Sequence, residues 1–212
     1  MKLLLTAFEP FGGETVNPAL EAADRLPGQI GDVELIKLTV PVAFGRSVEV
    51  VREAILREAP DAVLSLGQAG GRAALTLERV AINMDDARVP DNLGARPVDE
   101  PVVPGGPAAY FATLPIKAMT AAIRAEGLPA AVSNSAGTYV CNHLMYGVLH
   151  TLARDLPAAR GGFLHLPYLP AQVTDGRAPS LSLEDMVRGL TAAVAAIPAY
   201  PRDLTAAEGR EC

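Results

Sequence analysis

The sequence is poor in cysteine and histidine. Its 212 residues include two cysteines, three histidines and no tryptophan. Two cysteines, of which Cys212 is the last residue, cannot form the disulfide framework of a small secreted protein, so we expect a reducing cytoplasm. Three histidines at scattered spacings do not form a ligand set such as HExxH, and we expect no metal and no cofactor.

The sequence also lacks basic clusters and long apolar runs. A formal net charge of −6 and scattered lysines and arginines argue against a nucleic acid or an anionic membrane as partner. No stretch reaches the roughly 18 uninterrupted apolar residues of a membrane span, since Pro198 divides the apolar segment near the C-terminus. Glu9 and Pro10 interrupt the apolar start before it attains the length of a secretory signal.

The chain does contain enough apolar sequence for one sizeable core, because half of its residues are hydrophobic. Apolar runs of strand length, such as residues 2–8 and 62–68, alternate with segments of helical period. This alternation is typical of layered α/β proteins. We predict a single domain over residues 1–212, a three-layer α/β/α sandwich around a twisted, mainly parallel sheet, with a flexible tail from about residue 200.

Residues 85–110 interrupt this alternation. The segment reads DDARVPDNLGARPVDEPVVPGGPAAY, is rich in proline, glycine and aspartate, and shows no period. Loops of this length inside a compact domain are usually functional or lie at an interface. We interpret the segment as an excursion from the domain and as a candidate subunit interface.

Cys141 follows the small-residue turn SAG at the predicted start of a helix. Backbone N–H groups and the helix dipole favour a thiolate at such a position and lower the thiol pKa, which suits a nucleophile. A free cysteine is also among the residue types most often buried for packing alone. Position alone therefore leaves both roles open for this thiol.

A nucleophilic thiol needs a base, and the three histidines differ in their placement. His143 lies two residues further along the same predicted helix and faces another side, while His150 is about two and a half turns away. His165 lies near the end of a separate predicted strand, and the carboxyl ends of parallel strands converge on one crevice. We predict that His165 meets Cys141 there; the alternative is a histidine of the core.

A catalytic histidine also needs a group that fixes its tautomer. Glu78 is a carboxylate inside an otherwise apolar predicted strand, where an unpaired charge is costly. It is therefore a candidate for orienting His165. The alternative is an ion pair between Glu78 and Arg79 or Arg88.

Six blocks of the sequence, in this order, resemble the pyroglutamyl peptidase I family, also called pyrrolidone-carboxyl peptidases. The blocks are LLTAFEPFGGETVNPA, LGQAGGRAALTLERVAIN, DARVPDN, GGPAAYFATLPIK, SAGTYVCNHLMYG and GGFLHLPYLP, and the resemblance extends from Met1 to about Leu190. It implies a cytosolic cysteine peptidase that removes N-terminal pyroglutamate from peptides. The family's cysteine, histidine and glutamate fall on Cys141, His165 and Glu78.

The nature of pyroglutamate predicts the rest of the site. It is a neutral five-membered lactam without an ammonium group, so recognition requires an apolar slot with a few hydrogen-bonding groups. Phe8 and Phe11 suit the flat faces of such a slot, and core packing is the alternative for each. The resemblance adds four pocket neighbours, Asn17, Gln68, Tyr139 and Val140. We interpret the turn at residues 68–71 as an oxyanion site supported by Arg88.

Three positions depart from the residues usual in the family. Ala7 stands where glycine is common, Leu77 where proline is common, and Val42 where a threonine can line the pocket. None of these changes removes a reacting group. We expect them to affect pocket fit and substrate range more than the type of reaction.

Two other functions fit parts of the sequence. A phosphorolytic α/β enzyme would use the segment GQAGGR, residues 67–72, as a phosphate site, although this segment matches neither a P-loop nor GxGxxG. A ligand-binding protein without catalysis would bury Cys141 and pair Glu78 with an arginine. The family resemblance instead suggests a homotetrameric peptidase, in which Cys212 on the tail is a dispensable thiol.

Overall fold

The fold is built around a central seven-stranded sheet. A computed structural model describes residues 1–174 and 176–209; Cys212 lies outside this range. Numbered in chain order, the strands of both sheets in the described part are β1 (Lys2–Phe8), β2 (Gln29–Ile30), β3 (Val33–Val40), β4 (Ala62–Gln68), β5 (Leu75–Glu78), β6 (Val80–Ile82), β7 (Ala109–Phe111), β8 (Ala130–Ser133) and β9 (Arg160–Leu166).

The central sheet has the strand order β2-β3-β1-β4-β9-β5-β8. Strands β3, β1, β4 and β9 run parallel to one another. Strand β5 is antiparallel to β9, and β2 is antiparallel to β3. The predicted mainly parallel sheet is therefore confirmed, with a change of direction between β9 and β5 that the sequence did not indicate.

Helices cover both faces of the sheet. They are α1 (Pro18–Arg25), α2 (Arg46–Glu58), α3 (Ile116–Ala125), α4 (Val140–Asp155) and α5 (Leu183–Ala199). Helices α2 and α4 pack together on one face, and α1, α3 and α5 pack on the other. This is the three-layer α/β/α arrangement that the sequence predicted.

The central strands are apolar on both faces because both faces are covered. Leu3 and Leu5 of β1 belong to the core beneath α1, α3 and α5, whereas Leu4 and Phe8 belong to the core beneath α2 and α4. Alternate residues of a strand point to opposite faces, so a continuous apolar run fills two cores at once. The same alternation selects which residues of β4, β5 and β9 face α4.

The predicted strand that contains Glu78 is divided at Arg79. Its first part is β5 of the central sheet, and its second part, β6, pairs with β7 in a separate two-stranded sheet. The excursion between β6 and β7 includes an isolated bridge from Asp85 to Glu100. The chain thus leaves the central sheet directly after Glu78 and returns to it through α3.

Residues 200–209, for which the sequence predicted a flexible tail, contact α3 and its surroundings. The carboxylate of Asp203 accepts the N–H groups of Lys117 and Ala118 in the first turn of α3 at 3.0–3.1 Å. Glu208 forms an ion pair with Arg124. Because α3 has no side-chain cap of its own, Asp203 supplies the acceptor that this helix start requires.

Among residues 1–174 and 176–209, no helix has both the length and the apolar character to cross a membrane. The same residues contain no group of three or more His, Cys, Asp or Glu side chains placed to hold a metal ion.

Candidate active site

Cys141 lies in the first turn of α4, directly over β4. A Cβ placed on Gly67 would be 3.0 Å from Cys141 Sγ and 2.9 Å from the Phe163 ring. Only a residue without a side chain leaves room for the sulfur at this position. Gly67 is also the register partner of His165 on the neighbouring parallel strand, so the thiol and the imidazole are on the same face of adjacent strands.

His165 and Glu78 form a buried pair. Nδ1 of His165 is 2.7 Å from Oε1 of Glu78, and the two residues are 3% and 0% exposed. Antiparallel pairing of β5 with β9 places Glu78 opposite Phe163. Phe163 is two residues before His165 on β9, so Glu78 and His165 lie on the same face of the sheet. The structure thus places the three residues that the sequence singled out, Cys141, His165 and Glu78, on one face of neighbouring strands.

The cation beside Glu78 is Arg72. Its Nη1 contacts Glu78 Oε1 and donates to Thr76 Oγ1, and its Nη2 donates to the Ser135 carbonyl. The alternative that the sequence left open for Glu78 was an ion pair with Arg79 or Arg88. Arg72 belongs to the glycine-rich segment 67–72 and lies six residues before Glu78. This short separation was the signal in the sequence that could have indicated the ion pair.

Burial controls the protonation states at this site. Desolvation, and next the charge of Glu78, raise the pKa of Cys141 to about 12. Desolvation lowers the pKa of His165, against the opposing effect of Glu78. For Glu78, burial alone would raise the pKa, but the hydrogen bond and charge of His165 outweigh it and the pKa lies below its ordinary value. The resting site is a neutral thiol, a neutral imidazole and a carboxylate.

The neutral thiol corrects one expectation from the sequence. Placement at a helix start was expected to lower the pKa of Cys141, and α4 does begin at Val140 with no side-chain cap on its first turn. The favourable end of the helix dipole is typically worth about 0.3–1 kcal/mol, which is less than the cost of desolvating this partly buried thiolate. The thiol therefore needs a base to remove its proton.

A small apolar pocket adjoins Cys141. Its volume is about 50 Å³, and its lining includes most of the residues expected around a lactam together with Val42, namely Phe8, Phe11, Asn17, Val42, Gln68, Tyr139, Val140 and Cys141. Phe8 is 3% exposed and packs on Phe163 at a ring-centroid distance of 6.4 Å. Phe8 is therefore part of both the core and the pocket, so the two roles that the sequence gave as alternatives are compatible.

Most of the polar side chains that line this pocket are already bonded. Asn17 accepts from the Ala19 N–H at 3.0 Å as the cap of α1 and donates to the Glu9 carbonyl. Tyr139 Oη donates to the Pro90 carbonyl at 3.0 Å. Gln68 uses its Oε1 as an acceptor, and its Nε2 has no hydrogen-bond partner in residues 1–174 or 176–209.

Arg88 and two of the three unusual positions lie elsewhere. Arg88 is exposed within the excursion, and the pocket next to Cys141 is lined by other residues. Ala7 and Leu77 belong to the core on the opposite face of the sheet. Of the three departures from the family's usual residues, Val42 is the one that lines the pocket.

The remaining histidines have other partners. His143 Nδ1 is 2.7 Å from Asp85 Oδ2, and its Nε2 accepts the Gly45 N–H at 2.9 Å. His150 Nδ1 is 2.9 Å from the Tyr110 hydroxyl. The sequence excluded His143 as the base from its position on the helix, and its two hydrogen bonds give a second reason.

A larger cleft lies on the far side of His165. It has a volume of about 580 Å³ and is lined by Gly71, Arg72, Ala73, Ala74, Thr76, Ser133, Asn134 and Ser135. The parts of the site follow the strand order across the sheet. The apolar pocket lies near β1 and β4, and Cys141 lies over β4. His165 on β9 and Glu78 on β5 come next, and the cleft lies beside β5 and β8. The site therefore has one closed end and one open end.

The glycine-rich segment is not an open phosphate cradle. The Tyr168 ring lies so close to Gly70 that an added Cβ would be 2.2 Å from it. A phosphate site of the P-loop kind needs backbone N–H groups open to the ligand. Here a tyrosine covers one of the glycines, and the arginine that follows is bonded to Glu78.

Comparison with known proteins identifies the chain as a cysteine peptidase. The family model described as pyroglutamyl peptidase matches residues 1–200. The chain belongs to this family.

Relatives and solved structures agree with this assignment. The chain is 60% identical over 198 residues to the pyrrolidone-carboxylate peptidase of Levilactobacillus brevis, covering 93% of this chain and 97% of the relative. It is 52% identical to that of Streptomyces coelicolor, with 98% of each covered. Pyroglutamyl peptidase I from Bacillus amyloliquefaciens superposes with a TM-score of 0.93 at 50% identity, covering 96% of this chain and 99% of that one. A mutant pyrrolidone carboxyl peptidase from Pyrococcus furiosus has a TM-score of 0.90 at 42% identity, covering 94% and 99%.

Proposed function

We propose that this enzyme hydrolyses the amide bond that follows an N-terminal pyroglutamate, with Cys141 as nucleophile, His165 as base and Glu78 as the orienting carboxylate. The observation that carries the proposal is the buried His165–Glu78 pair on the strand next to the thiol, beside an apolar pocket. Family membership supports the substrate, and the geometry supports the roles.

The proposed reaction begins with proton transfer from the Cys141 thiol to Nε2 of His165. The sulfur attacks the scissile carbonyl carbon, and the oxyanion is stabilised by uncapped N–H groups in the first turn of α4. His165 returns the proton to the departing amine as the C–N bond breaks and a thioester forms. Water, deprotonated by His165, then releases pyroglutamate and restores the thiol.

Glu78 acts through His165. It is ionised and accepts Nδ1–H, which leaves Nε2 as the proton acceptor and stabilises the imidazolium that forms during the reaction. Arg72 holds the same carboxylate oxygen from the outside. We propose Arg72 as a positioning residue for Glu78. The oxyanion role that the sequence assigned to Arg88 is not part of this proposal, because Arg88 is exposed within the excursion.

Recognition is proposed to separate the two ends of the site. The closed pocket takes the lactam ring between Phe8 and Phe11 and leaves no space for a longer N-terminal residue. The open cleft beside Arg72 and Ser135 takes the peptide that leaves. An extended chain advances about 3.3 Å per residue, so about four residues cross the three strand spacings of about 4.8 Å from β4 to β8. This arrangement would make the enzyme specific for pyroglutamate and tolerant of the residues that follow it.

The direct test compares a chromogenic pyroglutamyl amide with the matching prolyl amide. The two rings differ mainly in the lactam carbonyl and in the charge on nitrogen. We expect hydrolysis of the pyroglutamyl amide alone, without phosphate, and loss of activity after alkylation of the thiol. Equal cleavage of both amides would contradict lactam recognition, and a requirement for phosphate would indicate a phosphorolytic enzyme.

We further propose that the enzyme is a cytoplasmic homotetramer whose excursion contributes to the subunit contact. Val89, Leu93 and Val98 of the excursion are 56%, 74% and 58% exposed, and exposed apolar side chains grouped in one segment favour an interface. Light scattering coupled to gel filtration measures the mass directly. A tetramer that dissociates on Leu93→Glu supports the proposal, and a monomer in the parent contradicts it.

A further inference from the structure

A turn within the excursion, residues 90–95, is closed by the carboxylate of Asp91. Oδ1 of Asp91 accepts the N–H groups of Leu93 and Ala95 at 2.9 and 2.8 Å. Its Oδ2 accepts the Phe44 N–H at 2.8 Å, and Asp91 is 7% exposed. Hydrogen bonds to a charged group are stronger than those between neutral groups. The turn is therefore fixed in shape and attached to the segment that follows β3.

Asn92 joins this turn to two walls of the apolar pocket. Its Nδ2 donates to Glu9 Oε1 at 2.9 Å and to the Pro10 carbonyl at 3.0 Å. Pro10 lies directly before Phe11. The backbone N–H of Asn92 donates to the Val42 carbonyl at 2.9 Å. Phe11 and Val42 belong to different segments of the chain, and both line the pocket.

The hydrogen bonds among Glu9, Val42 and Asn92 form a closed ring. Glu9 Oε1 accepts the Val42 N–H at 3.2 Å as well as the NH₂ group of Asn92, and the Asn92 N–H returns to the Val42 carbonyl. Both partners of the Asn92 side chain, a carboxylate and the Pro10 carbonyl, are acceptors only. Position 92 therefore requires a side chain that donates.

The same turn contacts a third wall of the pocket, Tyr139. The Tyr139 hydroxyl donates to the Pro90 carbonyl at 3.0 Å. Its ring packs against Phe11 and Phe44 at centroid distances of 6.5 and 5.5 Å. The turn thus links the segments that carry Phe11, Val42 and Tyr139, which are far apart in the sequence and meet at the pocket.

We propose that Asn92 is a positioning residue for the apolar pocket, which fixes the distance between the Phe11 and Val42 walls. The proposal rests on the proposed pyroglutamyl specificity and adds to it the contact that sets the width of the pocket. A slot binds a flat ring well only at a matched width, because a gap of about 0.5–1 Å already loses a quarter to a half of the dispersion attraction. Asn92 acts through Glu9, Pro10 and Val42, so its loss should weaken substrate binding and leave the reacting groups as they are.

Two substitutions separate a lost donor from an added repulsion. Asn92→Asp places a carboxylate against the Glu9 carboxylate and the Pro10 carbonyl. We expect KM for a pyroglutamyl anilide to rise about 10-fold with kcat close to the parent value, the pattern of lost ground-state binding. Asn92→Leu removes the donor without adding a charge, and KM should rise about 3-fold. Gln29→Glu, on the exposed edge strand β2, adds the same charge elsewhere and should keep the parent KM.

A second substitution in Asn92→Asp tests whether the contact itself is responsible. Adding Glu9→Gln exchanges donor and acceptor: the new amide accepts the Val42 N–H with its oxygen and donates with its NH₂ group to the carboxylate at position 92. The double variant should return KM to within about 3-fold of the parent. A purely structural defect at position 92 would not be repaired by a change at position 9.

Further readouts separate this role from a general loss of structure. Thermal unfolding and alkylation of Cys141 by iodoacetamide should be nearly unchanged in Asn92→Asp and Asn92→Leu. A parent KM in both folded variants overturns the proposal, as does a double variant that binds no better than Asn92→Asp. A loss that appears in kcat and in alkylation instead of KM also overturns it. A parent enzyme that does not cleave the pyroglutamyl anilide overturns the proposed function instead.

Discussion

The molecule contains two buried histidine–carboxylate pairs with the same geometry and different surroundings. His165 and Glu78 are 2.7 Å apart, and so are His143 and Asp85, in both cases from Nδ1 to a carboxylate oxygen. In the second pair, Nε2 of the histidine accepts the Gly45 N–H. In the first pair, Nε2 carries no hydrogen bond within residues 1–174 and 176–209.

The difference shows that a histidine–carboxylate pair does not by itself make a base. His143 has used its one lone pair to hold Gly45 at the start of α2, and through Asp85 it also holds the start of the excursion. His165 keeps its lone pair on the face of the sheet where the thiol lies. We therefore propose the first pair for catalysis and the second for the packing of α4 against its neighbours.

Removing the nucleophile is the strongest way to break this assignment. Cys141→Ser should lower kcat/KM for a pyroglutamyl amide by roughly 10³-fold or more, since a hydroxyl is a much weaker nucleophile with the same base. Thermal unfolding should be nearly unchanged. Cys212→Ser is the matched control and should retain parent activity. Parent-like turnover by Cys141→Ser would mean that neither pair serves a thiol.

Replacing each of the two histidines by alanine tests the comparison directly. His165→Ala should lower kcat about 10²- to 10⁴-fold, the usual contribution of general acid–base catalysis. His143→Ala should instead leave Asp85 buried without its partner and cost about 1–3 kcal/mol of unfolding free energy, measured with urea. Its turnover in folded protein should stay close to the parent value. Equal loss of kcat in both folded variants would erase the distinction.

Neutralising each carboxylate gives a smaller and sharper contrast. Glu78→Gln keeps an acceptor for His165 Nδ1 but removes the charge that stabilises the imidazolium. Hydrogen bonds to charged groups contribute about 1.5–3 kcal/mol. We therefore expect kcat to fall about 10- to 100-fold with little change in KM. Asp85→Asn should leave both constants near the parent values. A larger effect at Asp85 than at Glu78 would reverse the two roles.

Variants of the pocket provide a control outside both pairs. Phe8→Ala and Phe11→Ala should each lower kcat/KM about 10- to 100-fold, since losing a buried aromatic contact costs roughly 1–3 kcal/mol. Alkylation of Cys141 by a small reagent should change much less, because the thiol and both pairs remain. Parent rates from both variants, folded and alkylatable, would place the lactam pocket elsewhere.

The sequence predicted the layers of the fold, and it singled out three candidate catalytic residues, because each of these depends on a local pattern. Apolar runs, helical period and a turn of small residues located the strands and the start of α4, and a charge within an apolar strand marked Glu78. The direction of β5, which brings Glu78 beside His165, depends on contacts between distant segments and has no local signal.

The partners of the reacting residues were harder to predict for the same reason. Arg72 reaches Glu78 across a turn, and Gln172 reaches Gln68 from a segment 104 residues away. Burial also decides the protonation of Cys141, which the helix-start argument had predicted in the opposite direction. Each of these properties comes from packing between segments, which periodicity and spacing do not record.

The pH dependence of Cys141 alkylation tests most directly that His165, with its free Nε2, is the base. Burial lowers the pKa of His165 from 6.5, so in the parent the rate should hold at pH 6.5 and fall only as the imidazole is protonated below that value. In His165→Gln the inflection should disappear, and the rate should rise only toward the thiol's own pKa of about 12. His143→Ala should keep the parent profile. An acid inflection that persists in His165→Gln, or one that is lost in His143→Ala, would contradict the account.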